Sequence, residues 1–267
     1  NFVYIATPNL LHYEQTRKAL LAGKNVICEK PFCTKVQQAR ELVELARARG
    51  LFLIDAVPTA FLPNFDLLKQ LVSRVGKVKL VLANFSQYSS RYDLVLKGEV
   101  PNIFNPELGG GCLMDSNFYN VYLNVALFGK PREAIYYPNM YRDLADTSGV
   151  VVMRYDGFVS QSAGAKDTWG VNFFQIEGEQ GYIYVREGCN RMTEIKVVTR
   201  QGEVCYNEQP NSDCWYYEVR KITELVLAGD YEAMYKRLEV MLDVVEVLES
   251  VRKKAGILFP GEDGEGV

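Results

Sequence analysis

Apolar and polar positions alternate in a way that divides the chain into two textures. Phe2-Val3-Tyr4-Ile5-Ala6 is apolar and β-rich, and Thr7-Pro8-Asn9 ends it. From Leu10 to Gly23 the apolar residues Leu11, Thr16, Ala19, Leu20 and Leu21 recur near a 3.6 spacing, so the pattern predicts a helix with Gly23 just past its end. Asn25–Cys28 reads as a second strand, 35–49 as a helix capped by Thr34 and closed by Gly50, and Leu51–Val57 as a third strand. Short turns join strand, helix, strand, helix and strand, which predicts a parallel α/β sheet with right-handed crossovers.

The texture then changes. A helix is expected over roughly 64–75, a long strand over 78–88, and an irregular polar stretch over 89–108. Gly109-Gly110-Gly111 precedes an apolar helix expected from Cys112 to Phe128. Strands follow at 134–137, 149–155, 158–165, 172–178, 181–186, 194–199 and 203–206, with Asp156-Gly157, Gly178-Glu179 and Gln201-Gly202 between them predicting antiparallel hairpins. Two helices, 214–228 and 231–254, finish the chain, and 261–267 is expected to be a loose tail. The expected fold class is therefore α/β plus α+β: a piece of parallel sheet over 1–60, then a domain with a large, mostly antiparallel sheet and flanking helices over 61–267. The final helix is free to pack back on the first domain.

Composition removes several classes. Hydrophobic residues are 48%, charged residues 24% and the net charge −3, so nothing points to nucleic acid or an anionic membrane. No apolar run is long enough to span a bilayer, and no signal peptide is visible. The six cysteines form no C-x-x-C pair and His12 is the only histidine, so no metal site is expected. Reduced thiols make the cytoplasm the expected compartment.

The chemistry is expected beyond the carboxyl ends of the parallel strands. One end delivers Thr7-Pro8-Asn9. Another delivers Glu29-Lys30-Pro31 from the apolar run Val26-Ile27-Cys28, and a third follows Asp55-Ala56-Val57. Lys30 can hydrogen-bond a substrate hydroxyl and stabilise an oxyanion, or simply pair with a carboxylate such as Glu29. Asp115 and Tyr119 are four apart and would share a helix face. A lysine beside Tyr119 favours its phenolate; at an effective dielectric of about 20, a ~4 Å pair interacts by at most roughly 4 kcal/mol, or about three pK units. Without such a lysine, the tyrosine would only fill core. His12 fits a structural or cofactor-shaping role near the helix start. No G-x-G-x-x-G occurs, and the glycine run is read as a tight entry to the helix of Asp115 and Tyr119.

In this order, Thr7-Pro8-Asn9 with His12, Ala22-Gly23-Lys24-Asn25-Val26-Ile27-Cys28-Glu29-Lys30-Pro31, and Asn105-Pro106-Glu107-Leu108-Gly109-Gly110-Gly111 leading to Asp115 and Tyr119 resemble the glucose–fructose oxidoreductase and inositol dehydrogenase family. Tyr119 is similar to the tyrosine branch, which includes the dihydrodiol dehydrogenases. The resemblance implies that 1–60 is a truncated Rossmann-type sheet, and that the chain is an NAD- or NADP-dependent dehydrogenase for a secondary alcohol of a sugar, polyol or diol. It implies Lys30, Tyr119 and Asp115 as catalytic residues, and Thr7, Pro8, Asn9, His12, Glu29, Lys30 and Pro31 on the cofactor side. Gln87, Tyr88, Arg91, Tyr92 and Asn120 would line the substrate pocket, and a homodimer or homotetramer would form through the antiparallel sheet. An apolar sheet face carrying Val151, Phe158, Phe173 and Tyr184 would serve that assembly or meet the final helices. Asn117 stands where the family usually has glycine. The family's opening strand–turn–helix with its glycine-rich cradle is also absent, and about 60 upstream residues are expected to be missing, the size of two βα units. The alternative is a non-catalytic relative that senses a dinucleotide or binds a protein; retention of both Lys30 and Tyr119 speaks for the enzyme.

Overall fold

A computed structural model describes residues 1–142 and 144–262. Its first lobe alternates strand and helix: β1 Phe2–Ile5, α1 His12–Leu21, β2 Asn25–Glu29, α2 Val36–Arg49 and β3 Leu53–Ala56. The strands are parallel in the order β1-β2-β3. The helix α1 begins later than its periodicity suggests because Asn9–Leu11 first forms a 3-10 turn. After α2, Gly50 adopts φ 62°, and its N–H donates to the last carbonyls of the helix.

The second lobe begins with α3 Pro63–Leu71 and β4 Val78–Ser86, followed by α4 Tyr92–Leu96 and α5 Ser116–Phe128. Then come β5 Glu133–Tyr141, β6 Ala145–Arg154, β7 Val159–Ala165, β8 Phe173–Gly178 and β9 Gly181–Arg186. The chain closes with α6 Gly188–Arg191, β10 Glu194–Thr199, β11 Gly202–Tyr206, α7 Cys214–Ala228 and α8 Tyr231–Lys254. The limits of α7 and α8 match the expected ones because local chemistry sets them. Asp213 and Asp230 accept backbone N–H bonds at the two starts, and Gly229 at φ 63° ends α7.

The eight strands of this lobe lie in the order β11-β10-β9-β8-β4-β7-β6-β5. Every neighbour pair is antiparallel except one. The strands β4 and β7 run parallel, from Leu80 opposite Val159 to Ser86 opposite Ala165. Hairpin signals report only sequence neighbours, so they could not show this pair.

Four further expectations are corrected. Strand alternation puts Val151 on the helix-covered face and Phe173 and Tyr184 on the opposite one, and Phe158 packs on Phe128 and Tyr155. The stretch 89–108 is not irregular throughout: α4 and two 3-10 turns enclose a small core of Val95, Phe104 and Ala145. The helix α5 begins at Ser116 rather than Cys112, because the Cys112 N–H is drawn to the carbonyl of Asp146 and Asp115 leaves helical backbone. Of the tail expected to be loose, Glu262 instead forms a buried two-pronged ion pair with Arg252, while 263–267 lie outside the described residues.

The helix α8 does return to the first lobe. Its Glu249 accepts the Val36 N–H at 2.7 Å, and the sulfur of Met234 accepts from the Leu53 N–H. One apolar core accordingly runs from Ile5 and Leu53 to Val121, Val151 and Leu248.

Candidate active site

Two sets of parallel strand ends meet. From the first lobe, β1 delivers Thr7-Pro8-Asn9 and β2 delivers Glu29 and Lys30. From the second, β4 and β7 end side by side, so Gln87 and Tyr88 lie next to Lys166; the Gln87 N–H donates to Ala165 and the Ser89 N–H to Lys166. Between them stands the start of α5.

Asp115 lies just before that helix and is gripped from both lobes. The ammonium of Lys30 donates to one carboxylate oxygen and that of Lys166 to the other. The side chains of Lys30, Asp115 and Lys166 are 13%, 27% and 7% exposed. Burial pushes the Asp115 carboxyl up, but the two ammonium groups outweigh it and hold the group well below the usual carboxylate range. Burial likewise pulls Lys30 down, and Asp115 more than compensates, so Lys30 stays charged. Lys30 therefore pairs with Asp115 rather than Glu29, whose carboxylate accepts from the Tyr4 hydroxyl at 2.6 Å.

One turn along α5, the ring of Tyr119 lies 4.9 Å beneath the Lys30 ammonium, edge-on to Phe85 and Phe118. Its hydroxyl forms no hydrogen bond within the described residues and faces the cleft. Here the expected direction of its acidity is corrected. Burial raises the phenol to about 12, and Lys30 offsets only part of that. The reason is geometric: the ammonium sits over the ring and shares its charge with Asp115.

The glycine run makes this approach possible. A Cβ on Gly110 would lie 2.7 Å from the backbone of Asn105, and one on Gly111, at φ 134°, 2.1 Å from Asp146. Asp146 is buried, accepts from the Leu113 N–H and the Tyr136 hydroxyl, and is raised to about 6, chiefly by burial. Asn9 donates to the carbonyl of Gly109 at 2.7 Å, tying the β1 loop to the run. His12 is buried, with its two ring nitrogens 2.7 Å from the Thr7 carbonyl and 2.9 Å from that of Pro31. It thus clamps the ends of β1 and β2 together and does not face the reacting groups.

Two clefts share Asp115. One, of about 230 Å³, is lined by Thr7, Pro8, Asn9, Arg91, Gly110 and Gly111; the other, of about 440 Å³, by Lys30, Phe85, Gln87, Tyr88, Tyr119 and Lys166. The substrate set expected from the sequence is divided accordingly. Gln87 and Tyr88 line the larger cleft, whereas Arg91 faces the smaller one. Tyr92 packs among Tyr88, Phe104 and Tyr141. Asn120 is fully buried, donating to Asn117 and Ala163 and accepting from Cys189, so its expected place in the substrate pocket is corrected. Asn117 turns the same way and its amide meets the carbonyl of Ser162, while Gly164 leaves it room. Sequence reasoning missed Lys166, Arg191 and Trp215, which line the larger cleft. The signal for Lys166 was a charged residue after an apolar strand, the same signal that marked Lys30, hidden by reading β7 as one arm of a hairpin.

Comparison with known proteins follows the same division. Residues 1–55 match the family model described as "Oxidoreductase family, NAD-binding Rossmann fold", and residues 65–184 match that of the "GFO/IDH/MocA C-terminal domain". The NADP(+)-dependent scyllo-inositol 2-dehydrogenase of Bacillus subtilis is 34% identical over 261 residues, covering 97% of this chain and 79% of that one. The human trans-1,2-dihydrobenzene-1,2-diol dehydrogenase is 28% identical, covering 96% and 78%. Among solved structures, a 3-ketoreductase from Actinomadura kijaniata with NADP and TDP-benzene superimposes with a TM-score of 0.82 at 21% identity, over 94% of this chain and 77% of that one. An inositol dehydrogenase homologue from Azotobacter vinelandii, with NADH and myo-inositol, gives 0.78 at 17%, over 96% and 76%. These two show a shared fold.

Proposed function

The chain belongs to the GFO/IDH/MocA oxidoreductase family, and from that premise we propose that it transfers a hydride between NAD or NADP and a secondary alcohol of a sugar, polyol or diol. One observation carries the reading. The unsatisfied hydroxyl of Tyr119 faces a cleft beside an ammonium that a half-buried carboxylate keeps charged.

The residues of the first lobe fit a nicotinamide dinucleotide. Thr7, Pro8, Asn9 and Glu29 would hold it against the smaller cleft, with His12 and Pro31 shaping their loops. When bound, that group supplies the hydride donor or acceptor. Lys30 donates a hydrogen bond to the substrate oxygen and stabilises negative charge on it. At neutral pH Tyr119 is protonated, so in the reductive direction it gives its proton to that oxygen; in the oxidative direction the phenol first loses its proton to solvent, and the phenolate then takes the proton of the alcohol. Asp115 holds Lys30 in place, while Gln87 and Tyr88 line the substrate side. The division near residue 60 into a cofactor lobe and a substrate lobe belongs to this proposal.

We further place the protein in the cytoplasm as a homodimer or homotetramer. Six free cysteines support the compartment. The assembly is supported by the face of the large sheet away from the helices, where Ile135, Val152, Leu82 and Tyr184 align across the strands. No helix among the described residues is long and apolar enough to cross a membrane.

Nicotinamide absorbance, followed with both cofactors and a panel of inositols, sugars and diols, tests the proposal. Turnover is expected with at least one substrate, and Lys30→Met should lower it by about 10² or more. Tight cofactor binding with no turnover on any substrate would favour a sensor and reject the enzyme.

A further inference from the structure

The larger cleft carries more positive charge than its own carboxylate can balance. Lys30, Lys166 and Arg191 line it, and Asp115 is the single acidic side chain among its lining residues. Three cations against one anion leave two positive charges. This is local, because the whole chain is net −3. Carboxylates outside the lining are engaged by other donors, although the charge of Glu29 still reaches Lys30 and Tyr119. Glu29 accepts from Tyr4, Asp93 accepts from Tyr88, and Asp167 accepts from Thr147 and Ser148. Arg191 has no ion-pair partner among the described residues and stands exposed at the mouth, whereas Lys166 is buried at the floor.

The segment that carries Arg191 is held in an unusual shape. Its flanking residues Glu187 and Met192 adopt φ 62° and 49°, so two of the three non-glycine residues with positive φ among the described residues bracket this one short turn. Such backbone is strained for a residue with a side chain and persists where the surroundings enforce it. Buried Met192 and Cys189 anchor the turn from below. Trp215 and Tyr88 complete the wall with aromatic surface suited to the C–H face of a sugar ring.

We propose that the cleft selects a sugar or polyol bearing one anionic group, a carboxylate or a phosphate, with Lys166 and Arg191 as the specificity-determining residues. This rests on the oxidoreductase reading for the chemistry and adds the substrate class. The reacting carbon lies at Lys30 and Tyr119, and the anionic group lies toward Lys166 and Arg191. About 440 Å³ is room for such a ligand.

Titration calorimetry with D-glucuronate, D-glucose-6-phosphate and D-glucose, with and without oxidised cofactor and at low and high salt, is the test. One of the two anionic sugars should bind roughly tenfold or more tighter than glucose, with an affinity that falls as salt rises. Lys166→Met and Arg191→Gln should each shrink that preference severalfold, and Lys166→Arg should restore much of it. Equal affinities for all three sugars overturn the proposal, as does a preference that survives both substitutions. Arg191 is exposed, so its variant decides the matter even if Lys166→Met does not fold. Anion binding that depends on Lys166 without nicotinamide-linked turnover would reject the oxidoreductase reading and leave the charge selectivity standing. Turnover of neutral sugars with no anion preference would do the reverse.

Discussion

Replacing Asp115 by asparagine probes the centre of this structure, because one carboxylate serves two buried ammonium groups. The amide keeps the volume and one acceptor oxygen but leaves Lys30 and Lys166 facing each other uncompensated. Removing one partner from a buried ion pair costs about 3–5 kcal/mol. Asp115 retains 27% side-chain exposure, so water relieves part of the loss and the lower figure of about 3 kcal/mol applies. For a chain of this size each kcal/mol lowers Tm by about 2–4 °C, which gives a fall of roughly 6–12 °C. The pH dependence should also change sign. In the parent protein Lys30 is raised on folding, so its contribution is complete below the unfolded lysine pKa of about 10.4 and is lost as pH rises through the higher folded value. Without Asp115, burial dominates and lowers Lys30, so the variant should gain stability as pH approaches about 10. Urea and thermal denaturation between neutral and alkaline pH measure both effects. Adding Lys166→Met to the variant should recover part of the loss, a coupling that a double-mutant cycle isolates. A loss below about 1 kcal/mol with no coupling would show an ordinary surface pair and refute the reasoning.

Three other outcomes are expected. Tyr119→Phe should lower turnover by about 10² while Tm stays nearly constant, because the hydroxyl has no partner among the described residues to lose. With the phenol at about 12, alcohol oxidation by the parent should quicken with pH across the alkaline range, and a flat profile would argue against Tyr119 as the base. Glu218 is raised to about 8 by burial first and by Glu29 and Asp55 next. The folded state therefore binds the extra proton, and stability falls as pH rises from about 4.3 to about 8. Glu218→Gln should flatten that slope in chemical denaturation and make the protein more stable than the parent at pH of about 8.

Most of the elements were legible because their causes are local. The periodicity of 12–21 and 36–49, the caps Asp213 and Asp230, and Gly50 and Gly229 each act within a turn of helix. The short strands delivering Thr7-Pro8-Asn9 and Glu29-Lys30 were legible for the same reason. Lys166 and Arg191 were not. Each depends on which strands become neighbours, and a period-two pattern reports a strand's faces without naming its partner. Asn120 failed from the opposite side: it lies one residue from Tyr119, and a helix turns it by about 100°, into the sheet.

The sequence by itself determined the alternating strands and helices, the residue types Lys30 and Tyr119, and the loops that carry them. Those follow from local geometry and from which side chains can exchange a proton. Only the tertiary structure decided that β4 and β7 run parallel, that Asp115 is shared between two lysines, and that Tyr119 becomes a weaker acid rather than a stronger one. Strand pairing joins residues distant in the chain, and desolvation depends on everything that surrounds a group. Neither quantity is written in a short stretch of residues.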